Sequence, residues 1–353
     1  MTSTATLTQD TDEARHAVQL WDAVIAGDEY AARDVVAAAL DAGLDTETVL
    51  LDVIGAVQRR VGAEWAAARI NVAQEHAATA INERVIAALP RAGRPTKVHG
   101  RITVACVDGE WHALPARLLA ETLTLRGFTV DYLGAQVPAP HLIAHLHRTA
   151  PDAVALSSSI PTRLPAAHAT ITACQAAGVP VMVGGAAFGP DGRYAWLLGA
   201  QAWAPDARTA ADRLAAAPLS PPVDAHQPID DLPHLADQEY SMVARSATSL
   251  VATVYAGLAE RVPAMRDYTE QQRQHTAEDL AHIVDFLATA LYVGDADLFT
   301  GFLTWTAGIL EARGVPSGTL RPGLDLIAAE LRDFPRAGRL LAAGKDHLER
   351  ISA

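Results

Sequence analysis

The sequence predicts an α/β protein joined to all-α parts: a four-helix bundle, a parallel five-stranded sheet and a C-terminal helical domain. Three observations predict this architecture. Residues 15–90 have helical periodicity, residues 100–217 alternate strand with helix, and residues 236–353 return to helical periodicity. Strand–helix alternation of this kind specifies a parallel sheet with right-handed crossovers. A chain of 353 residues is also long enough for two or three domains.

The bundle is predicted from four helices with short connections. They span residues 14–26, 28–42, 46–65 and 71–90. Asp28 and Asp45 stand where helix N-caps are expected, and Asn71 followed by Gln74 has the spacing of a capping box. Short loops favour an antiparallel arrangement. A purely structural or dimerising bundle would have the same pattern.

The alternating segment predicts five strands, and the loops after three of them contain small or polar residues. The predicted strands are 101–107, 128–133, 152–158, 179–183 and 200–203, and the helices lie near 114–126, 138–149, 163–177, 190–198 and 206–217. Residues 108–112 (DGEWH) follow the first strand, residues 157–159 (SSS) the third, and residues 184–185 (GG) the fourth. The carboxyl ends of parallel strands share one edge of the sheet, where ligands bind. We therefore expect these loops to form one site.

Composition limits the remaining segments and the partners. Residues 1–14 are predicted to be a disordered leader, residues 91–99 a basic linker and residues 218–235 a proline-rich linker. The net charge of -13 argues against direct binding of nucleic acid. No apolar run has the roughly 18 residues that a membrane span needs. Cys106 and Cys174 lie in apolar segments, so we expect buried, reduced thiols in a cytoplasmic protein.

The three loops indicate which cofactor the sheet binds. No G-x-G-x-x-G or P-loop follows a strand, so a nicotinamide cofactor is not expected. Glu110-x-His112, the serines Ser157 and Ser159, and the pair at residues 184–185 resemble the Rossmann-like cobalamin-binding domain. That family has the pattern Asp/Glu-x-His-x-x-Gly, a serine-containing loop and a Gly-Gly pair. This chain departs from the pattern at Pro115, where the family usually has glycine.

The resemblance implies a role for each of these residues. His112 would bind cobalt from below in place of the cofactor's own dimethylbenzimidazole, and Glu110 would help to orient the loop. Ser157 or Ser159 would donate a hydrogen bond to the displaced nucleotide tail. Gly184 and Gly185 would leave room for the tail, because neither has a Cβ.

A second motif lies in the bundle. Trp65 is separated by nine residues from Glu75-His76. This spacing resembles the bundle of light-sensing, adenosylcobalamin-dependent transcriptional repressors, in which it covers the upper face of the cofactor. By this resemblance Trp65 would cover the adenosyl group, Glu75 would bond it, and His76 would be a possible upper cobalt ligand after its loss. The other interpretation is a core aromatic residue followed by a surface histidine.

The C-terminal segment has a polar stripe beside an apolar helical face. His275, Asp279 and His282 fall on the stripe, at spacings of four and then three residues. The segment looks like the globin-like, non-haem helical sensor domains, and the domain order is similar to the photocobilins, which pair cobalamin with a bilin such as biliverdin. Because neither cysteine lies here, such a pigment would bind non-covalently. Haem bound by His275 or His282, and a dimerisation domain without pigment, remain alternatives.

Together these patterns predict a photoreceptor, not an enzyme. It would bind adenosylcobalamin, change conformation when light breaks the cobalt–carbon bond, and signal as a cytoplasmic homodimer to a protein partner, without binding DNA or a membrane. The alternative is a corrinoid carrier protein of a methyltransferase system. The motif at Trp65 and the C-terminal extension argue against a carrier, which must leave its upper face open. No substrate barrel is encoded, which disfavours a mutase.

Overall fold

A computed structural model of the chain describes residues 11–89, 99–221 and 231–352. It confirms the predicted class: helices, then a parallel five-stranded sheet with helices on both faces, then helices again. Residues 1–10, most of the predicted basic linker and the centre of the predicted proline-rich linker lie outside the described residues.

The bundle consists of four helices, and its predicted caps are confirmed. They are α1 (Asp12–Ile25), α2 (Glu29–Asp41), α3 and α4 (Val72–Ala88). Helix α3 begins at Thr46–Thr48, passes through a π-helical stretch at Val49–Ile54 and continues as Gly55–Ala66. Asp28 and Asp45 accept from backbone N–H groups, and Asn71 and Gln74 form both bonds of the capping box. Helix α1 starts inside the predicted leader because Thr11 caps it.

The sheet has the strand order β2-β1-β3-β4-β5, and all neighbouring strands are parallel. The strands are β1 (Arg101–Cys106), β2 (Thr129–Gly134), β3 (Ala153–Ser157), β4 (Val181–Gly184) and β5 (Ala202–Ala204). The helices are α5 (Ala113–Leu125), α6 (Ala139–Thr149), α7 (Leu164–Ala176), α8 (Arg193–Leu197) and α9 (Ala207–Ala216). Strand order places β1 beside β3, so the loops that follow them are neighbours. Cys106 and Cys174 are buried and unbonded to each other, as predicted.

Five helices form the C-terminal part. They are α10 (Glu239–Arg261), α11 (Glu270–Val293), α12 (Ala296–Ala312), α13 (Arg321–Glu330) and α14 (Pro335–Ser352). Among the described helices, α10 has the length and mean hydropathy of a membrane span. Its Val243, Leu250 and Val254 are buried in the C-terminal core, so α10 serves here as one wall of that core.

Ion pairs join the bundle to the sheet domain. Arg126, at the end of α5, donates two hydrogen bonds of 2.9 and 2.7 Å to the Glu47 carboxylate of α3. Arg208 of α9 donates at 2.7 Å to Asp52, in the π-helical stretch. These contacts fix α3 along the outer side of α5 and α9.

Buried polar contacts join the C-terminal part to the opposite face of the sheet. His168 of α7 is fully buried; its ring nitrogens lie 2.9 Å from the Tyr292 hydroxyl and 3.0 Å from the Asp231 carboxylate. Tyr194 donates at 2.8 Å to Asp295. Both ends of the predicted proline-rich linker are packed, because Leu219 and Leu232 are buried in the cores that they connect.

Candidate functional site

The loop after β1 holds a carboxylate and an imidazole in direct contact. Glu110 is 1% exposed, and its Oε1 lies 2.6 Å from Nδ1 of His112. The same oxygen accepts from the His112 backbone N–H at 2.9 Å. The second contact fixes the main chain at the start of α5, where His112 occupies the N-cap. Glu110 therefore orients both the backbone and the ring of His112.

The other carboxylate oxygen of Glu110 binds the loop after β3. Oε2 accepts from the backbone N–H groups of Ser159 at 2.6 Å and Ile160 at 3.1 Å, and from the Ser158 hydroxyl at 3.1 Å. Burial alone would raise the pKa of Glu110, but the hydrogen bonds from His112, Ser159 and Ile160 outweigh it and lower the pKa to about 2. Glu110 is therefore an ionised carboxylate at neutral pH.

An ionised Glu110 determines which nitrogen of His112 can bind a metal. A carboxylate only accepts hydrogen bonds, so Nδ1 of His112 must donate to it, and Nε2 keeps its lone pair when the ring is neutral. The side chain of His112 is 56% exposed and can meet a ligand from solvent. The bond to Glu110 raises the pKa of His112, burial opposes this, and the charges of Glu110 and Glu75 add to it. This pairing is the arrangement expected of a metal-binding histidine.

The serine loop has a role that the sequence did not predict. Ser158, which the pattern did not single out, is fully buried and donates to Glu110. Ser159 contributes its backbone N–H to the same carboxylate. Ser157 points elsewhere and lines a cleft beside the sheet. Three adjacent serines are thus divided between holding Glu110 and lining the cleft, and the run of serines was the only signal available.

The cleft lies between the ends of β3, β4 and β5 and the helices α5 and α9, and its volume is about 100 Å³. Ser157, Gly184, Gly185 and Pro115 are among its lining residues. Its place beside the sheet suits the displaced nucleotide tail that the sequence predicts. Pro115, the departure from the family pattern, forms part of the wall.

Steric contacts with the main chain explain the Gly-Gly pair at residues 184–185 without any ligand. Gly185 has φ +100°, and a Cβ there would lie 2.2 Å from the carbonyl oxygen of Ser158. A Cβ at Gly184 would lie 3.1 Å from the carbonyl oxygen of Ala204. The sequence attributes the pair to clearance for a ligand, but the main chain on either side already requires glycine at residue 185.

The bundle motif lies at the junction of α3 and α4. Trp65 is in the last turn of α3 and is half-buried; Glu75 and His76 are in the first turn of α4. Oε2 of Glu75 lies 2.6 Å from Nδ1 of His76, whose ring is 75% exposed. Leu114, two residues after His112 in the sheet domain, is buried in the bundle's apolar cluster, and Trp65 packs against the same cluster. The structure therefore brings the two predicted halves of the site together.

A directed series of hydrogen bonds fixes Glu75. Asn82 of α4, fully buried, donates to Gln58 at 2.9 Å; Gln58 donates to Thr79 at 2.8 Å; and Thr79 donates to Oε1 of Glu75 at 2.9 Å. Each amide or hydroxyl hydrogen points toward Glu75, which leaves the carboxylate as the final acceptor. Oε2 then remains for His76 or a ligand. The sequence did not single out Gln58, Thr79 or Asn82.

The C-terminal stripe lies on α11. His275 and His282 are exposed, and Asp279 is half-buried. Burial raises the pKa of Asp279, and the charges of His282, His275 and Arg313 oppose the rise. Phe286, one turn further along α11, stacks on Phe302 of α12 with ring centroids 3.9 Å apart. The three polar residues of the stripe thus lie next to the aromatic pair of Phe286 and Phe302.

We expect Glu110→Gln to lower the free energy of unfolding by about 3 kcal/mol, because an amide nitrogen would face backbone donors in a buried site. The pKa of His112 should fall toward its ordinary value. Since the depressed pKa of Glu110 stabilises the fold above the ordinary value of 4.5, the wild type should lose this advantage as pH falls toward 2.

Denaturant unfolding between pH 2 and 7, with NMR titration of His112, measures both effects. Asp108→Asn, in the same loop but exposed, is the control and should change stability by less than about 0.5 kcal/mol. Equal stability of the two variants at pH 7 would contradict the assigned role of Glu110.

We expect Gly185→Ala to destabilise the protein by about 3 kcal/mol or more, since it combines a positive φ with a main-chain clash. Gly178→Ala is the matched control: its φ is +78°, but a Cβ there meets nothing within 4 Å. It should cost only about 1 kcal/mol. Thermal unfolding of the two variants measures the difference. Equal costs would show that the Ser158 carbonyl does not require glycine at this position.

Comparison with known proteins matches two parts of the chain to a B12 binding domain, over residues 17–89 and residues 100–215. The HTH-type transcriptional repressor CarA of Myxococcus xanthus is 33% identical over 138 residues, which are 38% of this chain and 47% of that protein. The chain thus matches about half the length of this curated relative.

Solved structures of corrinoid proteins also align with the chain. The monomethylamine corrinoid protein of Methanosarcina barkeri is 21% identical with a TM-score of 0.48, over 56% of this chain and 96% of that one. A cobalamin-binding protein of Desulfitobacterium hafniense is 19% identical with a TM-score of 0.32, over 57% and 97%. The chain therefore contains B12 binding domain regions over residues 17–89 and residues 100–215, which together span more than half of its length.

Proposed function

We propose that this protein is a light sensor that binds adenosylcobalamin between the bundle and the sheet domain. One observation carries the proposal: Leu114, two residues after His112, is buried in the same apolar cluster of the bundle against which Trp65 packs. Two faces of one cofactor could therefore be held by one chain. Bound adenosylcobalamin supplies a cobalt–carbon bond that visible light breaks.

On the lower side, His112 would bind cobalt through Nε2 while Glu110 holds the ring from behind. The ionised Glu110 increases the electron density of the imidazole and fixes its tautomer. The cleft lined by Ser157 and Gly184 would take the nucleotide tail. The sheet domain would thus provide the fixed half of the site, because its loops are held by buried hydrogen bonds.

On the upper side, Trp65 would cover the adenosyl group and Glu75 would accept a hydrogen bond from it. The donors Thr79 and Gln58 hold Glu75 in place for this role. In this arrangement Trp65 would take up the space that a substrate needs, so we propose a sensor and not an enzyme. Loss of the adenosyl group would remove what Trp65 packs against, and His76 could then reach the cobalt.

The remaining parts of the proposal concern partners and compartment. We propose a cytoplasmic homodimer that signals through another protein and does not bind DNA itself, since the net charge of -13 repels a phosphate backbone. The similarity to the CarA repressor covers 138 residues, 47% of that protein, so we do not carry its repressor activity over to this chain.

The proposal is tested by adding adenosylcobalamin to the full chain in the dark and recording the absorption spectrum before and after green light. We expect tight binding, a spectral change on illumination and, for His112→Ala, weaker binding with the benzimidazole still on cobalt. His147→Ala, an exposed histidine at the far end of α6, should behave like the wild type. An unchanged spectrum under light that photolyses the free cofactor would instead favour a corrinoid carrier protein.

We propose a non-covalent bilin such as biliverdin as a second chromophore in the C-terminal domain. The supporting observation is Asp279, half-buried between His275 and His282 and within the field of Arg313. A half-buried carboxylate can accept pyrrole N–H bonds, and the Arg313 guanidinium suits a propionate. Haem bound by His275 or His282 is the other pigment that this stripe could hold.

Biliverdin and haem are added separately to the full chain, and visible absorption is recorded. We expect a bilin band that Asp279→Asn weakens at least tenfold in affinity, which is about 1.4 kcal/mol. Asp346→Asn, an exposed carboxylate of the same domain, should leave the band unchanged. No band from either pigment would make the domain an interaction module.

A further inference from the structure

Trp65, the bundle residue proposed to cover the cofactor, is flanked by two side chains of the C-terminal domain. The ring centroids of Trp65 and Trp305 are 6.4 Å apart, with planes tilted by 37°. The guanidinium carbon of Arg313 lies 5.4 Å from the Trp65 ring centroid. Tilted aromatic pairs and cations over an indole face are both attractive at these distances. The C-terminal domain thus contacts the residue expected to cover the cofactor.

Trp305 is not needed for the core of its own domain. Helix α12 buries Phe299, Phe302 and Leu303 in that core, whereas Trp305 is 51% exposed. Trp305 can therefore contact another domain without disturbing that core. The contact that the structure shows for the ring is Trp65.

Arg313 is held in place to meet the same ring. It follows the last residue of α12, and its side chain donates at 3.1 Å to the carbonyl oxygen of Ile309. A cation at a helix C-terminus is favoured by the helix dipole and by the unpaired carbonyl groups there. Arg313 therefore presents a fixed charge to Trp65.

The C-terminal domain is attached more firmly to the sheet domain than to Trp65. On the sheet side, His168 is fully buried and bonded to Tyr292 and Asp231. Breaking it would leave buried polar groups unpaired, whereas the contact with Trp65 is aromatic and partly exposed, which costs much less to break. If the bundle moves relative to the sheet domain, the contact between Trp65 and Trp305 should therefore break first.

We propose that Trp305 and Arg313 are positioning residues for Trp65, and that the C-terminal domain detects the state of the cofactor site through them. This inference rests on the proposed light sensing. While the adenosyl group is present, Trp65 stays between the cofactor and the C-terminal domain; when the group is lost, Trp65 moves and α12 is released. Coupling of this kind is reciprocal, so removing the contact must also weaken binding of the adenosyl form.

The test uses the full chain and four substitutions: Trp305→Ala, Trp305→Phe, Arg313→Met and, as control, Trp196→Ala. Trp196 is 55% exposed on α8 and is thus matched to Trp305 in type and exposure. Affinities for adenosylcobalamin and hydroxocobalamin are measured in the dark. Amide hydrogen exchange of α12 is measured before and after illumination.

We expect Trp305→Ala and Arg313→Met to weaken adenosylcobalamin binding about fivefold, with Trp305→Phe closer to the wild type, because a contact of this type is worth about that factor. Hydroxocobalamin, which has no adenosyl group, should bind all variants equally. Exchange in α12 should rise on illumination of the wild type, and should already be high in the dark in Trp305→Ala.

The inference is overturned if Trp305→Ala matches Trp196→Ala in both measurements while the wild type binds and responds to light. It is also overturned if both cobalamins lose affinity equally, which would indicate a general structural effect. A wild type that does not respond to light would refute the proposed function itself, and this result is distinguishable because no variant is needed to observe it.

Discussion

The buried carboxylate of Glu110 is the interaction on which the candidate site depends. It joins the loop after β1 to the loop after β3 and holds His112 by ring and backbone together. Five hydrogen bonds to one carboxylate would be expensive to lose, since the buried Ser158 hydroxyl and the part-buried backbone N–H groups of Ser159 and Ile160 would lose this acceptor. The same bonds keep Glu110 ionised, and ionisation leaves Nε2 of His112 available to a metal. The hydrogen bonds that stabilise this edge of the sheet therefore also leave His112 able to bind a metal.

The two sides of the site differ in how they are built. The lower side consists of sheet loops held by buried backbone hydrogen bonds, and such loops move little. The upper side consists of helix ends, where Glu75 is held by side chains and Trp65 is half-exposed between two domains. In the proposed sensor, this difference in bonding would make the sheet domain the fixed half and the bundle the movable half, with Trp65 in contact with α12.

The contacts that join the three domains differ in type and in strength. Glu47 and Asp52 bind arginines of α5 and α9, so ion pairs attach the bundle to these two helices of the sheet domain. The C-terminal domain is fixed to the opposite face by the buried His168. The bundle and the C-terminal domain meet at Trp65 through a contact that is aromatic and partly exposed. In the proposed sensor, a small rotation of the bundle would change this contact.

The sequence by itself determined the class of fold, the helix caps and the pair of Glu110 and His112. These depend on local patterns: strand–helix alternation, capping spacing, and two residues between one strand and one helix. Only the tertiary structure decided what Glu110 binds, because Ser158 is 48 residues away and becomes its neighbour through the pairing of β1 with β3. The contact between Trp65 and Trp305 is likewise invisible in the sequence. It joins two helices with no shared motif, and their meeting depends on how three domains pack.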